Sequence, residues 1–303
     1  MILAAFLRLI RCKNLLLIIY LQILLKFSLF SAFELTANLS IFQFVILVFS
    51  LILITAAGYI INDIFDLKSD LINKPQKVIV TNYFSVENSQ RLYLIINTLG
   101  IVLGIGLSLS IQKPSYSFIF MGASLLLYLY SKTLKSKPII GNIAVSFLVA
   151  FPIITLCLFD LNFEIQSEDQ QLVIYVILLL SAFAFLINLV REIVKDIEDI
   201  NGDYKLKMNT LPILLGVART KKIASFLCVF PLGLLLFLVA KYATIFKFTI
   251  FYLLLFTLVP LLYVALKLLS AKTKKEFKKL SFFLKIIMFL GINSLLILTL
   301  NSH

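Results

Sequence analysis

The chain has 303 residues, of which 61% are hydrophobic, and its mean hydropathy is +1.04. This composition excludes an ordinary soluble domain, because runs of more than about 18 apolar residues indicate helices that cross a bilayer. The formal net charge is +13, which we interpret as a record of membrane topology and of attraction to anionic lipid. No nucleic-acid partner is expected.

Hydropathy predicts nine transmembrane helices. Runs of this length fit helices, whereas outer-membrane barrel strands have about ten residues with alternating hydrophobicity. The predicted fold is therefore an all-α, polytopic membrane bundle that forms a single domain over residues 1–303. The predicted spans lie near residues 15–33, 41–61, 89–110, 116–131, 138–158, 171–190, 223–240, 246–266 and 282–300.

The distribution of basic residues predicts the orientation, since Lys and Arg accumulate in cytoplasmic loops. With a cytoplasmic N-terminus, 24 of the 28 basic residues lie in the segments of that side or in the first four residues of a span that starts there, and the opposite side receives Lys113, Lys241 and Lys247. Lys26 falls inside the first predicted span, where it either snorkels or faces the protein interior. The sequence thus predicts a multi-pass protein of the cell (inner) membrane with its N-terminus in the cytoplasm.

Two acidic motifs follow the second and sixth predicted spans. They read DIFDLKSD and DIEDINGD, within residues 62–70 and 192–203. Each carries carboxylates at i, i+3 and i+7, which share one helix face within about 60°. With Glu192 and Glu198 the motifs hold 8 of the 15 acidic residues. The candidate catalytic carboxylates are Asp63, Asp66, Asp70, Asp196, Asp199 and Asp203.

The chemistry available to these motifs is limited by what the sequence lacks. The only histidine is His303, which excludes a histidine-ligated zinc site and a Ser-His-Asp triad. Clustered carboxylates repel one another unless cations neutralise them, and oxygen ligands favour hard ions such as Mg²⁺, which commonly bridges carboxylates to phosphate oxygens. Paired aspartate motifs therefore indicate a diphosphate site with Mg²⁺. Since the motifs lie four spans apart, we expect both on the cytoplasmic side, in a parallel internal repeat of about 130 residues.

The motifs resemble those of the UbiA-type intramembrane prenyltransferases. Members of that family carry NDxxDxxxD after the second span and DxxxD after the sixth, and similar segments here read INKPQKVIV, YLYSKTLKSKPIIGN and TLPILLG. The resemblance covers about residues 8 to 220 and implies Mg²⁺-dependent ionisation of an allylic polyprenyl diphosphate, followed by capture of the carbocation by an acceptor. It also implies that Asp63, Asp66 and Asp70 bind one Mg²⁺, and that Asp199 and Asp203 bind the other.

The resemblance implies further binding residues and a branch of the family. The segment REIVKDIEDINGD is most similar to the branch that transfers a geranylgeranyl group to geranylgeranylglyceryl phosphate in ether-lipid synthesis. This chain departs from the family at Cys12, where a proline often follows the arginine, and at Lys77, where an arginine is common. Asp196 is a further metal ligand or a neighbour of one. The residues assigned to substrate binding are Asn14, Asn62, Lys77, Lys132, Lys135, Arg191 and Lys195.

Two alternatives remain at this point. The first alternative is a prenyltransferase of quinone biosynthesis, whose acceptor would be aromatic, of the 4-hydroxybenzoate, dihydroxynaphthoate or homogentisate type. The second alternative is an ion-coupled transporter, which would also carry acidic residues in repeated halves. In a transporter the acids often lie near the middle of the membrane, whereas here they lie at the predicted span ends. The expected partners are a polyprenyl diphosphate, a lipid or aromatic acceptor, and membrane lipid. Arg191 and Lys195 either pair with nearby acids or bind an acceptor phosphate.

Overall fold

The structure is a computed structural model that describes residues 2–163 and 167–300. Within these residues the chain is helical, and its only β-contact is an isolated bridge between Val80 and Phe84. The predicted all-α class is therefore confirmed. His303 lies outside the described residues. The helices group into two compact units.

The first unit comprises the residues up to Tyr20, Leu39–Ala144 and Asn201–Met208. A capping box begins its longest buried helix, because Ser40 and Gln43 satisfy each other's backbone N–H groups. Its helices are α1 (Ile2–Leu9), the start of α2 (Cys12–Ile23), α3 (Ile41–Phe65), α4 (Leu67–Asn73), α5 (Val86–Ser110) and α6 (Ser117–Lys132).

The second unit comprises Leu21–Asn38, Val145–Ile200 and the residues from Asn209 onward. It contains most of α7 (Ile140–Asp160) and of α8 (Glu168–Lys205), and then α9 (Leu211–Leu215), α10 (Val217–Leu227), α11 (Val229–Tyr242), α12 (Lys247–Leu253), α13 (Val259–Ser270) and α14 (Lys274–Leu300). Leu24–Phe30 and Leu254–Leu258 are π-helical segments that continue α2 and α12.

Eight helical stretches in the described residues are long and apolar enough to cross a membrane. They correspond to eight of the nine predicted spans. The ninth corresponds to α6, which has 16 residues and so falls just below the about 18 residues expected of a span. The parallel repeat stays a prediction.

Lys26 faces the interior of the second unit rather than snorkelling. Its ammonium donates a hydrogen bond of 2.6 Å to Asp160 Oδ2, and the two side chains are 5% and 0% exposed. One turn before it, Gln22 donates to the carbonyl of Pro152 at 2.7 Å. An apolar helix end can hold a lysine here because a carboxylate neutralises it.

Candidate active site

The first acidic motif surrounds the break between α3 and α4. Asn62 and Asp63 occupy the last turn of α3, and Asp66 lies at the junction, where its N–H donates to the carbonyl of Asn62 at 2.8 Å. Asp70 lies one turn further on, in α4, and is half-buried. The break interrupts the helix, and it leaves the buried carboxylate of Asp66 beside both helix ends.

Asp66 is the centre of a charged cluster in the first unit. Asn62 Nδ2 donates to Asp66 Oδ2 at 2.6 Å, and the ammonium of Lys135 donates to the same oxygen. Burial opposes the charged form of Lys135, but the nearby carboxylates of Asp66 and Asp203 contribute to raising the pKa of Lys135 above its ordinary value. Lys135 therefore stays protonated at neutral pH.

Asp63 pairs with a residue to which the sequence analysis gave no role. Arg11 lies between α1 and α2 with a positive φ of 51°, and its guanidinium donates to Asp63 Oδ1 at 2.9 Å. The same guanidinium stacks on the ring of Tyr59, 4.6 Å from the centroid. Asn14 donates to the hydroxyl of Tyr59 at 3.2 Å. The signal in the sequence was the arginine of the family's arginine-proline pair, which this chain keeps without the proline.

A hydrogen bond places the end of the second motif in the same unit as the first. The N–H of Gly202 donates to Asn73 Oδ1 at 3.0 Å, over a separation of 129 residues in the chain. A Cβ on Gly202 would lie 2.2 Å from Asn73 Nδ2, so only glycine allows this approach. Asp203 follows directly and is buried. The first unit thus contains Asp63, Asp66, Asp70 and Asp203. Sequence reasoning did not identify Asn73 or Gly202 as site residues.

The close contact between Gly202 and the side chain of Asn73 leads to a prediction for Gly202→Ala. The added Cβ would displace Asn73 or the last turn of α8, and a shift of about 1 Å near a catalytic group can cost about 100-fold in rate. We expect prenyl transfer to fall by about 10- to 100-fold, because the displacement would also disturb the hydrogen bond from the Gly202 N–H to Asn73 Oδ1. Initial rates of the purified variants measure this.

The matched control is Gly122→Ala in α6, because a Cβ at Gly122 meets no atom within 4 Å. We expect this control to keep the wild-type rate. An unchanged rate for Gly202→Ala would show that the contact with Asn73 does not position the motif.

The rest of the second motif belongs to the second unit, on the long helix α8. Glu192 is buried and binds two cations, with Arg191 Nη1 and Lys195 Nζ each 2.7 Å from one of its oxygens. Asn188 on the same helix donates to Ser146 of α7 at 3.3 Å. Arg191 and Lys195 therefore both pair with a nearby acid. Asp196 and Asp199 follow on α8, and both are half-buried.

Two other predicted lysines, Lys77 and Lys132, are exposed. Lys132 is exposed and its ammonium lies 5.5 Å from the ring centroid of Tyr128. Lys77 is exposed at the end of a short 3-10 helix, Pro75–Lys77. Of Lys77, Lys132 and Lys135, which were all assigned to substrate binding, Lys135 is the one whose ammonium bonds a carboxylate of the first motif within the described residues.

The donor set fits Mg²⁺. In the described ranges no three acidic, cysteine or histidine side chains are grouped closely enough to hold a metal by themselves. Mg²⁺ does not require such a cage, because it is usually bound by one or two carboxylates together with water and phosphate oxygens of a substrate. The first motif offers only hard oxygen ligands, from Asp63, Asp66, Asp70 and the amide of Asn62, and Arg11 and Lys135 already limit the repulsion between these carboxylates.

Comparison with known proteins assigns the family. The UbiA prenyltransferase family matches residues 24–289. The chain belongs to this family. A UbiA relative from Saccharolobus solfataricus, named digeranylgeranylglyceryl phosphate synthase, is 31% identical over 81% of this chain and 80% of its own length. A protein of the same name from Methanobrevibacter smithii is 37% identical over 53% of this chain, and that match spans about half (54%) of the relative.

Solved structures of UbiA proteins confirm the fold. A structure described as digeranylgeranylglyceryl phosphate synthase in membranes superposes with a TM-score of 0.66 and 26% identity, covering 99% of this chain and 98% of that one. A UbiA homologue from Archaeoglobus fulgidus, solved with GPP and Mg²⁺, gives a TM-score of 0.59 at 15% identity over 96% of this chain and 99% of that one. With its apolar helices, this UbiA protein is a multi-pass integral membrane protein of the prenyltransferase class.

Proposed function

We propose that this chain transfers a polyprenyl group from its diphosphate to geranylgeranylglyceryl phosphate, and that this group is geranylgeranyl. The allylic C–O bond to diphosphate breaks, a C–O bond to the acceptor hydroxyl forms, and the hydroxyl proton leaves. Its relatives named digeranylgeranylglyceryl phosphate synthase support this reaction. The observation that supports the site most directly is the hydrogen bond from Gly202 to Asn73, since it brings Asp203 into the unit that holds the first motif.

The proposed ligands are Asp63, Asp66 and Asp70 for one Mg²⁺, and Asp199 with Asp203 for the other. Mg²⁺ would supply neutralisation of the charge on the departing diphosphate, and a UbiA homologue has been solved with GPP and Mg²⁺. Asn62 would add an amide oxygen, and Asp196 would bind a metal or support a ligand.

The other groups of the site position charge and exclude water. Lys135 and Arg11 hold Asp66 and Asp63 in fixed orientations through their ion pairs. Lys77 and Lys132 are exposed and would attract the diphosphate of the incoming donor. The apolar helices keep water from the carbocation, which water would otherwise quench. We propose that residues 1–303 act as one catalytic domain in the cell (inner) membrane, with the N-terminus and both motifs on the cytoplasmic side.

Product formation tests the reaction. Purified protein in lipid receives Mg²⁺ and labelled geranylgeranyl diphosphate, with geranylgeranylglyceryl phosphate, 4-hydroxybenzoate or a dihydroxynaphthoate as acceptor in separate reactions. We expect a labelled diether phosphate that is absent with Asp66→Ala. Label in an aromatic product instead would assign the protein to quinone biosynthesis, and transfer to none of the three would refute the proposed acceptor, geranylgeranylglyceryl phosphate.

The proposed acceptor carries a phosphate, and this leads to a separate prediction for Arg191. Arg191 and Lys195 flank the buried carboxylate of Glu192, and the Nε of Arg191 is buried without a hydrogen-bond partner among the described residues. We propose that both cations bind the acceptor phosphate. Arg191→Lys keeps the charge but loses the two-pronged geometry, and a hydrogen bond to a charged group contributes about 1.5–3 kcal/mol.

We therefore expect Arg191→Lys to raise the KM for geranylgeranylglyceryl phosphate about tenfold or more and to leave the KM for the prenyl diphosphate within about twofold. Steady-state rates with each substrate varied in turn measure both constants. Lys205→Gln, an exposed position near the end of α8, serves as the control and should change neither. Equal increases in both constants would assign Arg191 to the donor or to folding.

A further inference from the structure

An apolar cavity lies inside the second unit, remote from the acidic end of α8. It has a volume of about 90 Å³ and is lined almost wholly by hydrocarbon from four helices, including Val176 and Phe183 of α8, Leu238 of α11 and Leu295 of α14. Asp196 follows Phe183, the lining residue of α8 nearest to the motif, by 13 residues, which is about 20 Å along an α-helix. The cavity is therefore separate from the carboxylates proposed for prenyl transfer.

One end of the cavity is bounded by aromatic residues at the turn between α11 and α12. Tyr242 and Phe246 line the cavity there, are half-buried, and have ring centroids 6.0 Å apart. The neighbouring Ile245 and Phe248 are 64% and 70% exposed, as expected of side chains that meet lipid rather than water. This end of the cavity therefore lies beside the bilayer.

A lysine is fixed at the same end. The ammonium of Lys241 lies 5.0 Å from the ring centroid of Tyr175, 5.2 Å from that of Tyr242 and 6.0 Å from that of Phe237. Contacts of this kind attract the cation to the ring faces and restrict a side chain that is otherwise flexible. Because Tyr242 also lines the cavity, the ammonium lies directly beside the cavity's aromatic end.

The basic residues at this turn lie on the side of the membrane opposite to most basic residues of the protein, according to the predicted topology. Predicted topology assigns only three basic residues to this side of the membrane, and two of them, Lys241 and exposed Lys247, lie on either side of the four-residue turn 243–246. Attraction of cytoplasmic loops to anionic lipid does not account for them. Lys241, whose ammonium lies over the cavity-lining ring of Tyr242, and exposed Lys247 on the same turn complement a molecule with an acidic headgroup and a hydrocarbon chain.

We propose that this cavity binds a short segment of one hydrocarbon chain of an anionic membrane phospholipid, whose phosphate is held by Lys241 and Lys247. Apolar cavities exclude water and accept apolar groups, and a protein of this class is surrounded by lipid chains. A lysine near a membrane surface favours an anionic lipid by a factor of about five. The site would thus select phospholipids by headgroup charge, independently of prenyl transfer.

The absence of tryptophan from the chain allows a direct test. Phe246→Trp places a single indole at the cavity end, and this variant is reconstituted in phosphatidylcholine vesicles that contain a minor fraction of either phosphatidylglycerol or phosphatidylcholine brominated high on the acyl chain. We expect brominated phosphatidylglycerol to occupy the site about fivefold or more better at equal mole fraction, as measured by fluorescence quenching. Equal quenching by both lipids would overturn the proposal.

Two sets of variants in the Phe246→Trp background separate headgroup from chain. Lys241→Gln and Lys247→Gln together should abolish the preference for the anionic lipid. Lys113→Gln should preserve it, although Lys113 also lies over a ring, that of Tyr116 at 5.2 Å.

The cavity-filling variants are Gly291→Leu and, as a milder change, Ser294→Leu, and both should reduce quenching. Gly233→Leu is their control, because a Cβ at Gly233 would meet no atom within 4 Å. Persistent preference in the lysine double variant, or unchanged quenching in both filled variants, refutes the site.

Discussion

We expect Asp66→Ala to lower prenyl transfer by at least about 10³-fold, because the loss of one preorganised electrostatic group alone costs about 10²- to 10³-fold and Asp66 is also a proposed ligand of Mg²⁺. One carboxylate oxygen of Asp66 accepts hydrogen bonds from both Asn62 and Lys135. Loss of the carboxylate therefore also leaves the ammonium of Lys135 without this partner. Turnover of labelled geranylgeranyl diphosphate by purified protein measures the effect.

Asp66→Asn separates chemistry from folding, since it keeps the shape of the side chain and removes its charge. It should lose activity to a similar extent while eluting as a folded protein in size-exclusion chromatography. The control is Glu87→Gln, which removes an exposed carboxylate paired with Arg91 on α5 and should keep full activity. If folded Asp66→Asn retained most of the wild-type rate, the metal assignment at the first motif would be wrong.

We expect Asp160→Ala to lower the free energy of unfolding by about 3–5 kcal/mol, because it leaves the ammonium of Lys26 buried without its carboxylate. The pair is 2.6 Å long and almost fully buried. In the double variant Lys26→Met/Asp160→Ala no charge is left unpaired, so most of the lost stability should return. Unfolding by sodium dodecyl sulfate in mixed micelles, followed by circular dichroism, gives the free energies.

Arg91→Gln provides the comparison for this pair. It breaks an exposed ion pair with Glu87, and such pairs contribute about 0–1 kcal/mol. We expect its stability to differ little from that of the wild type. If Asp160→Ala were as stable as Arg91→Gln, or if the double variant were less stable than Asp160→Ala, Lys26 and Asp160 would not form a stabilising buried pair.

The helical class and the two motifs could be predicted because both are local properties of the chain. Apolar runs of span length fix helices wherever the chain folds in a membrane, and a 3-then-4 spacing places carboxylates on one helix face in any helical context. The fourth predicted span, near residues 116–131, corresponds to α6, which is shorter than the other eight spans. The family was recognisable from the motif residues for the same reason.

The partners of those residues could not be predicted, because they are separated widely in the chain. Asp66 pairs with Lys135 over 69 residues, Asp63 with Arg11 over 52, and Gly202 with Asn73 over 129. Among several lysines near the motifs, sequence alone gave no reason to prefer Lys135 to Lys77 or Lys132, since all three carry the same charge. Their distinction depends on which helix ends meet.

The sequence by itself determined that this chain is a helical membrane protein with two helical carboxylate motifs, since hydropathy and periodicity act within one or two turns. Only the tertiary structure decided which cations neutralise those carboxylates, that Lys26 is buried against Asp160 rather than snorkelling, and that an apolar cavity lies beside Lys241. Each of these depends on packing between distant segments, where burial raises the free-energy cost of an unpaired charge and so selects one partner.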